Sequence, residues 1–409
     1  MSEYYLLMNK NEKVALIQKT ESFGTEYFSV EKQYEKYMPY GFQDMNTWLE
    51  GRQAAKHRKS IAKLMKEVGI YNRSGFISMT RCTSLTDTFW VKPTKSDLQW
   101  EDVSLYRNPF DETIARIAFD GTGMYGQKFS TTSPELTTDG AYEKCWIREN
   151  NQISLIKRGS SGYANAGMEP YGEALATQLL KTTKTEHVPY ELVNYRKKLA
   201  SKCPIFTSEK YGYVTFASYA QKRTEIGEKM QIMSGLGLEK KFREMIVMDA
   251  IMLNVDRHDG NFGFLVENET GKITDMAPLF DENQAYLPGL MRTDDVNEYL
   301  MMQGPRIGDD FVPVAKAMLT ADLQSTLINL KQFEYTDPGH DFPKWRLELI
   351  NNLKDRQINE ILGKSKTISI PQRKDEPIFT SEDELDNFIS RKRSKKEAKN
   401  EKQNTKDER

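Results

Sequence analysis

Apolar and polar residues alternate along residues 1 to about 40, a pattern typical of short β-strands. A helical stretch is expected over residues 48–69, with Asn46 or Thr47 as its N-terminal cap. Two further strands are expected at residues 76–80 (FISMT) and 86–93 (TDTFWVKP). Residues 1–125 are therefore interpreted as a compact N-terminal accessory region.

The middle of the chain combines a strand pattern with one helix. Apolar runs at residues 141–147 and 153–157, joined by a polar turn, predict a β-hairpin. Pro170 opens a helix whose buried face carries Leu175 and Leu179. Further strands are expected at residues 188–195, 203–207 and 211–218. Residues 126–218 thus predict an antiparallel sheet with a helix.

The remainder is mostly helical in its pattern. The apolar positions Leu238, Phe242, Met245 and Ile246 recur at helical spacing and predict a buried helix. A second hairpin is expected from the runs 262–266 and 272–279, and helices from Gln284 onward. Residues 219–370 form this helical part, and residues 371–409 are a charged tail in which Ser381 and Glu384 resemble a capping box.

The segment NVDRHDGNFGF, residues 254–264, carries the candidate chemistry. Asp256 and Asn261 stand five positions apart in a Gly-broken loop, the spacing found in phosphoryl-transfer loops. In such loops the Asp accepts the proton of the substrate hydroxyl and the Asn holds a magnesium ion. Arg257 and His258 follow the Asp, whereas in the standard kinase loop they precede it.

The second hairpin brings another oxygen ligand toward this loop. Because antiparallel strands joined by a short turn have adjacent outer ends, Asp281 is expected to return beside Asn261. Asp256, Asn261 and Asp281 then converge, and carboxylate and carboxamide oxygens are the ligands that Mg²⁺ prefers.

Phosphoryl transfer also needs a cation and a backbone cover for the nucleotide phosphates. Lys157 ends the strand ISLIK and is the candidate cation, and Glu173 in the following helix is placed to orient it. The candidate cover is a tight segment whose residues are Thr137, Thr138, Asp139, Gly140 and Ala141.

These motifs resemble the HipA-like serine/threonine kinase family. That family carries a G-A-x-x-K nucleotide loop, matched by GAYEK at 140–144, and an N-x-D-R-H-x-x-N catalytic loop, matched at 254–261. Its metal-binding Asp after an A-P element matches Asp281 in MAPLFD, and the likeness covers roughly residues 130–360. The resemblance implies an α+β fold: a two-lobed protein-kinase-like fold with a sheet-and-helix N-lobe, a mostly helical C-lobe and the N-terminal accessory region.

The resemblance also implies the reaction. It implies an ATP- and Mg²⁺-dependent protein kinase with Asp256 as catalytic base, Asn261 and Asp281 as metal ligands, and Lys157 as the phosphate lysine. Glu173 would support Lys157, His258 and Arg257 would support the loop, and Gly140, Ala141 and Thr138 would contact the nucleotide. Members of the family autophosphorylate a nucleotide-loop serine, so Thr137 and Thr138 are candidate acceptors. Many act as toxins of toxin–antitoxin pairs, which implies an antitoxin partner as well as a Ser/Thr protein substrate.

Two other function classes stay open at this level. A metal-dependent phosphohydrolase or nuclease would use Asp256, His258, Asp259 and Asn261 as a compact metal site and would not need Lys157. A nucleotide-binding pseudokinase scaffold would bind ATP without transferring phosphate. Each residue alone also has a structural interpretation, because turn acids and strand-end lysines are common.

Composition narrows the partners. The 409 residues carry 58 basic and 59 acidic side chains, so the net charge of -1 weighs against direct nucleic-acid binding and against an anionic membrane surface. Three scattered cysteines predict neither a disulfide framework nor a zinc site, which suits a reducing cytoplasm. The sequence contains no uncharged apolar stretch of about 18 residues, so no membrane span is expected.

Overall fold

The computed structural model describes residues 3–55, 58, 61–121, 129–130, 132–162 and 165–363. These residues form eleven strands: β1 Glu3–Asn9, β2 Glu12–Ser22, β3 Thr25–Gln33, β4 Phe89–Pro93, β5 Lys144–Glu149, β6 Gln152–Arg158, β7 Glu191–Tyr195, β8 Lys198–Pro204, β9 Tyr211–Thr215, β10 Gly263–Glu267 and β11 Ile273–Met276. They also form thirteen α-helices: α1 Met45–Gly51, α2 Ile61–Glu67, α3 Arg73–Thr80, α4 Trp100–Val103, α5 Glu112–Asp120, α6 Glu169–Thr183, α7 Phe216–Ala220, α8 Ile226–Gly235, α9 Glu239–Met252, α10 Val296–Met302, α11 Phe311–Met318, α12 Ala321–Leu330 and α13 Lys344–Ile361.

The N-terminal residues form an antiparallel sheet in the order β3-β2-β1-β4, with α1, α2, α3 and α5 packed against it. The edge strand β3 alternates between buried and exposed positions, whereas β1 and β4 are buried on both faces because Leu6, Met8 and Trp90 pack with Trp100 and Val103 on the face opposite these helices. The single expected helix over residues 48–69 is wrong: Asp44 caps α1, which ends at Gly51, and α2 is a separate helix.

The expected strand at residues 76–80 is also wrong, because these residues lie in α3. The side chain of Asn72 accepts a hydrogen bond from the Gly75 amide and caps this helix. Phe76, Ile77 and Thr80 face the core at helical spacing, and a five-residue apolar run does not distinguish a helix from a strand by periodicity.

The N-lobe sheet has the order β5-β6-β8-β7, and all of its neighbouring strands are antiparallel. Helix α6 packs along one face. Phe119 of α5 contributes to an apolar cluster with Cys145, Ile156 and Ala200 of the sheet. The expected hairpin and helix of this region are present.

The C-lobe is built around α9, whose residues from Met245 to Met252 are all buried. It packs against α8, α11 and α13, and beside it lies the small sheet β11-β10-β9. The mixed α+β, two-lobed architecture expected from the sequence is therefore confirmed. The expected capping box at Ser381 lies outside the described residues, as does the rest of the charged tail.

The three cysteines, Cys82, Cys145 and Cys203, are unpaired and buried in three separate apolar clusters. Among the described residues, no helix has the length and apolar character needed to cross a membrane.

Candidate active site

Lys157 lies where the N-lobe sheet meets the segment that follows β11. It is on β6, and its ammonium donates hydrogen bonds to carboxylate oxygens of both Glu173, on α6, and Asp281, after β11. The Lys157 side chain is 7% exposed and that of Glu173 is 1% exposed. The structure thus joins the expected strand lysine, helix glutamate and hairpin aspartate in one ion cluster.

Neighbouring groups fix the charges in this cluster. Ser201 on β8, the cross-strand partner of Lys157, donates a hydrogen bond to the second oxygen of Glu173. Burial opposes the charged form of Lys157, but the carboxylates of Asp281 and Glu173 outweigh it and raise the lysine pKa. Desolvation also opposes ionisation of Asp281, yet the charges of Lys157 and Lys144 lower its pKa to about 2. Lys157 and Asp281 are therefore both charged at neutral pH.

The backbone around Asp281 is held in a conformation that few side chains adopt. Its φ of 64° lies in the left-handed region, which Asp tolerates better than most residues. The amide of Asp281 donates to the Tyr190 hydroxyl, and Leu279 pairs in parallel with His187 just before β7. These contacts hold Asp281 against the N-lobe, where it meets Lys157.

Arg257 ties the catalytic loop to the segment of Asp281. Its guanidinium is 2% exposed and binds the carboxylates of Asp249 and Glu282 at 2.8 and 2.9 Å. These bonds come from Nε and Nη2, whereas the Nη1 atom donates to the main-chain carbonyls of Asn261 and Phe280, both at 2.8 Å. One buried arginine therefore brings together the main chain at the two residues expected to hold metal.

The pair Asn261 and Asp281 fits a magnesium site of the kind that phosphate oxygens complete. The Asn261 Nδ2 group donates to the Asp256 carbonyl at 3.2 Å, which turns its Oδ1 atom away from that carbonyl. Mg²⁺ is usually bound by one or two protein oxygens together with substrate phosphates and water, and one carboxylate and one carboxamide meet this requirement.

Asp256 lies in the loop that follows α9 and is partly exposed. Its amide donates to the Asn254 side chain at 3.3 Å, and Asn254 is anchored in turn on Asp249. The guanidinium of Arg306 lies 2.6 Å from an Asp256 carboxylate oxygen. The expected base is thus accessible from solvent and paired with an exposed arginine.

His258 and Asp259 stabilise the loop by local bonds. The Nδ1 atom of His258 accepts a hydrogen bond from the Gly260 amide, and its carbonyl accepts one from the Asn261 amide. Asp259 binds the buried ammonium of Lys229 at 2.9 Å. Both side chains are therefore engaged in shaping the turn between Asp256 and Asn261.

The expected nucleotide loop lies directly before β5. Gly140 has a φ of 102°, a backbone conformation that residues with a side chain rarely adopt, so the position favours glycine. Lys144 is the cross-strand partner of Lys157 and donates to the Asp139 carbonyl at 2.8 Å. Burial and the charge of Lys157 lower the pKa of Lys144 to about 7.

The same loop contacts the C-lobe and its own sheet. The hydroxyl of Tyr142 accepts a hydrogen bond from Gln284 at 2.9 Å, three residues beyond Asp281. Thr138 donates to the Pro134 carbonyl at 2.7 Å and accepts from the Trp146 indole at 2.8 Å. Thr137 and Thr138 are both half-buried, and Ala141 is exposed.

The sequence-based assignment of roles does not include Lys144, Asp249, Glu282 or Arg306. Lys144 belongs to the GAYEK motif, so the motif could have indicated a role for it. Asp249 occupies a core-facing position of an apolar helix, which marks a buried acid in need of a partner. Nothing in the sequence around Glu282 or Arg306 indicates their contacts.

Comparison with known proteins places this geometry in context. No protein-family profile matches the chain. The HipA toxin of Shewanella oneidensis MR-1, solved with HipB and operator DNA, superposes with a TM-score of 0.56 over 88% of this chain and 97% of HipA, at 11% identity. The chain has the fold of HipA. The resemblance expected from the motifs is thus confirmed for the fold, over a larger share of the chain than residues 130–360.

Part of the chain is also similar in sequence to a curated protein. Over 170 residues the chain is 31% identical to the serine/threonine-protein kinase CtkA of Helicobacter pylori, a match covering 36% of this chain and 50% of CtkA. The chain therefore spans about half the length of this curated relative. The crystal structure of CtkA, described as a proinflammatory kinase, aligns with 57% of this chain at 17% identity and a TM-score of 0.44, covering 94% of that structure.

Proposed function

We propose that this HipA-like chain is an ATP- and Mg²⁺-dependent kinase that phosphorylates serine or threonine hydroxyls of proteins. The observation that carries the proposal is the position of Lys157, whose ammonium joins Glu173 of the N-lobe to Asp281 of the C-lobe. A strand lysine held by a helix glutamate beside a metal-loop aspartate is the arrangement that kinases use to hold nucleotide phosphates. The named kinase CtkA, similar to part of this chain, supports the same reaction class.

Each residue has a separate task in the proposed reaction. Asp256 would accept a hydrogen bond from the acceptor hydroxyl and take its proton. Lys157 would hold phosphate oxygens of ATP, while Asn261 and Asp281 would hold Mg²⁺, which neutralises negative charge on the phosphates when bound. Arg257 would keep the two metal ligands in register by its bonds to the adjoining main chain.

The decisive experiment compares variants in one assay with labelled ATP and Mg²⁺. Asp256→Asn and Lys157→Ala should each lower phosphate transfer, the former by roughly 10²- to 10⁴-fold because a general base is lost. Asp275→Asn is the matched control, since this acid lies on β11 of the C-lobe and pairs with Lys241, away from Lys157 and Asp256 in the contacts it makes. Full transfer by Asp256→Asn would overturn the proposal.

The same variants separate the two alternatives. A phosphohydrolase or nuclease would keep metal-dependent hydrolysis in Lys157→Ala and lose it in Asp256→Asn. The bonds of Asp259 to Lys229 and of His258 to Gly260 favour the kinase, because they engage two of the expected hydrolase ligands. A pseudokinase would bind ATP in calorimetry yet label no protein.

The proposal also covers the biological role of the chain. Its likeness to HipA, which was solved with HipB and operator DNA, supports a toxin that is paired with an antitoxin protein. Expression should then arrest growth, and Asp256→Asn should be harmless. Harmless high-level expression of the active enzyme would contradict this. A cytoplasmic location is part of the proposal and is supported by three free, buried cysteines.

Autophosphorylation within the nucleotide loop is the last part of the proposal. Thr137 and Thr138 are the candidate acceptors, and both hydroxyls hydrogen-bond the Pro134 carbonyl. Phosphorylation of Thr138 would also break its bond with Trp146 and displace the loop. Mass spectrometry of the protein after incubation with ATP should find phosphate on one of these threonines, and Thr138→Val would show whether that site is used.

A further inference from the structure

The N-terminal region reaches the nucleotide loop through one buried arginine. Arg58 precedes α2 and is 3% exposed. Its Nη1 atom donates to the carbonyl of Glu135 at 3.1 Å, its Nε atom to that of Gly140 at 3.2 Å, and its Nη2 atom to that of Thr138. A single guanidinium therefore binds three main-chain oxygens within six consecutive residues.

The surrounding packing holds this contact in place. The Ala54 amide donates to the Leu136 carbonyl at 2.8 Å, adding a fourth bond between the same two segments. Leu136 is fully buried in the apolar cluster of the N-terminal sheet, together with Ala54, Ile61 and Leu64. The Arg58 carbonyl accepts from the Ile61 amide at 3.1 Å, so the arginine is fixed at the start of α2.

Through the geometry of the peptide group, these hydrogen bonds determine the direction in which the loop amides point. In a planar trans peptide the N–H group points opposite to the preceding carbonyl. Because Arg58 draws the Thr138 and Gly140 carbonyls toward itself, the amides of Asp139 and Ala141 are directed away from it. Main-chain amides directed from a loop are the groups that bind phosphate oxygens.

We propose that Arg58 is a positioning residue for the nucleotide loop, through which the N-terminal region sets the affinity of the site for the phosphates of ATP. This inference rests on the proposed kinase function. It assigns a task to the N-terminal accessory region, which carries no catalytic group of its own in the proposed mechanism.

The charge and the shape of Arg58 both suit this task. Burial lowers its pKa to about 10, so the guanidinium stays charged at neutral pH, and bonds from charged donors are stronger than those from neutral ones. A guanidinium presents five donors in one plane and can bind three separate carbonyls, whereas a lysine is a point charge with a different reach. Arg58→Lys therefore keeps the charge and loses the arrangement of donors.

The test measures ATP binding in the presence of Mg²⁺ by calorimetry, with kcat and the KM for ATP from the labelled assay. Arg58→Lys and Arg58→Ala should weaken ATP binding by about tenfold or more, since charged hydrogen bonds to the loop are lost. The KM for ATP should rise more than kcat falls. Arg148→Ala is the matched control, because Arg148 also binds three main-chain carbonyls, those of Leu105, Tyr106 and Asn108, at the far end of β5.

Hydrogen exchange distinguishes a local effect on the loop from a general loss of stability, because it measures the protection of the loop amides separately from that of the rest of the protein. In the wild type, ATP with Mg²⁺ should protect the amides of residues 136–143, and in Arg58→Lys this protection should be lost while that of β6 and α9 is kept. Arg58→Lys is the variant on which the conclusion depends if Arg58→Ala does not fold. Unchanged ATP affinity and unchanged loop protection in Arg58→Lys would overturn the inference.

The outcome also distinguishes the two proposals. If the wild type binds no ATP in calorimetry, the proposed kinase function fails and the role of Arg58 in ATP binding fails with it. If the wild type binds ATP and Arg58→Lys binds equally well, the kinase function stands and the role of Arg58 is refuted. If Arg148→Ala weakens binding as much as Arg58→Lys, the effect is not specific to the loop and the inference fails.

Discussion

The guanidinium of Arg306 lies 2.6 Å from the carboxylate of Asp256, the proposed base. Arg306 comes from the loop between α10 and α11, and its side chain is 58% exposed against 33% for Asp256. An ion pair this exposed contributes about 0–1 kcal/mol, so it is readily broken. An acceptor hydroxyl that binds Asp256 must share or displace this arginine.

Arg306→Gln should therefore raise kcat/KM for the protein acceptor, by up to about fivefold, which is the range of a weak exposed pair. The KM for ATP should not change, because the arginine contacts the base and not the phosphate lysine. Steady-state kinetics with varied acceptor would measure this, with Arg292→Gln as an exposed arginine control. A large loss of activity would show that Arg306 assists the acceptor instead.

Glu173→Gln should raise the KM for ATP and lower kcat, by about tenfold or more in kcat/KM, since a buried charged hydrogen bond to Lys157 is replaced by a neutral one. Lys157 would then be held only through Asp281 and would shift toward it. Glu191→Gln, an exposed acid on β7, is the control and should leave both constants unchanged. Equal kinetics of the two variants would contradict the role of Glu173.

Arg257→Lys should lower the free energy of unfolding by about 3–5 kcal/mol, because the carboxylates of Asp249 and Glu282 would remain buried without their full set of donors. Urea unfolding followed by circular dichroism would measure this change. Arg356→Lys, in the exposed pair with Glu360, should change stability by well under about 1 kcal/mol. Similar unfolding midpoints for both variants would refute the importance of the buried network.

ATP affinity should depend on pH through Lys144. Burial and the charge of Lys157 lower its pKa to about 7, so above this pH the free protein increasingly holds a neutral amine. Phosphate favours the charged form, so ATP binding should take up protons and weaken by up to about tenfold per pH unit above neutrality. Calorimetry in two buffers of different ionisation enthalpy would detect the uptake.

Lys144→Arg provides the comparison, because arginine stays charged throughout this range. Its ATP affinity should lack the part of the pH dependence that Lys144 contributes, while the titration of ATP itself remains in both proteins. Identical pH profiles for the two proteins would mean that Lys144 does not meet the phosphates.

The two-lobed fold and the return of the chain at Phe280 toward Asn261 are readable from the sequence because they follow from local patterns. The hairpin of β10 and β11 predicts that Asp281 returns toward Asn261, and the periodicity of α9 predicts where Asp256 emerges. The roles assigned to these residues remain predictions. Short apolar runs such as residues 76–80 do not distinguish helix from strand, which is why α3 is missed.

The supporting contacts are not readable because they join residues that are distant in sequence. Arg58 meets Gly140 across 82 positions, and Arg257 meets Glu282 across 25. No periodicity or motif encodes which buried carbonyl a given guanidinium will reach. Only the packed structure shows that the N-terminal region and the nucleotide loop share a core.

The buried thiols offer a way to follow motion without an added label. Thiolates are the reactive form, and burial raises the pKa of Cys82 and of Cys203 to about 12 and also raises that of Cys145. An alkylating reagent can therefore modify the native protein only when a region opens transiently. The three alkylation rates would report on opening at Cys82, which follows α3 in the N-terminal apolar cluster, at Cys145 on the strand that carries Lys144, and at Cys203 on the strand that carries Ser201.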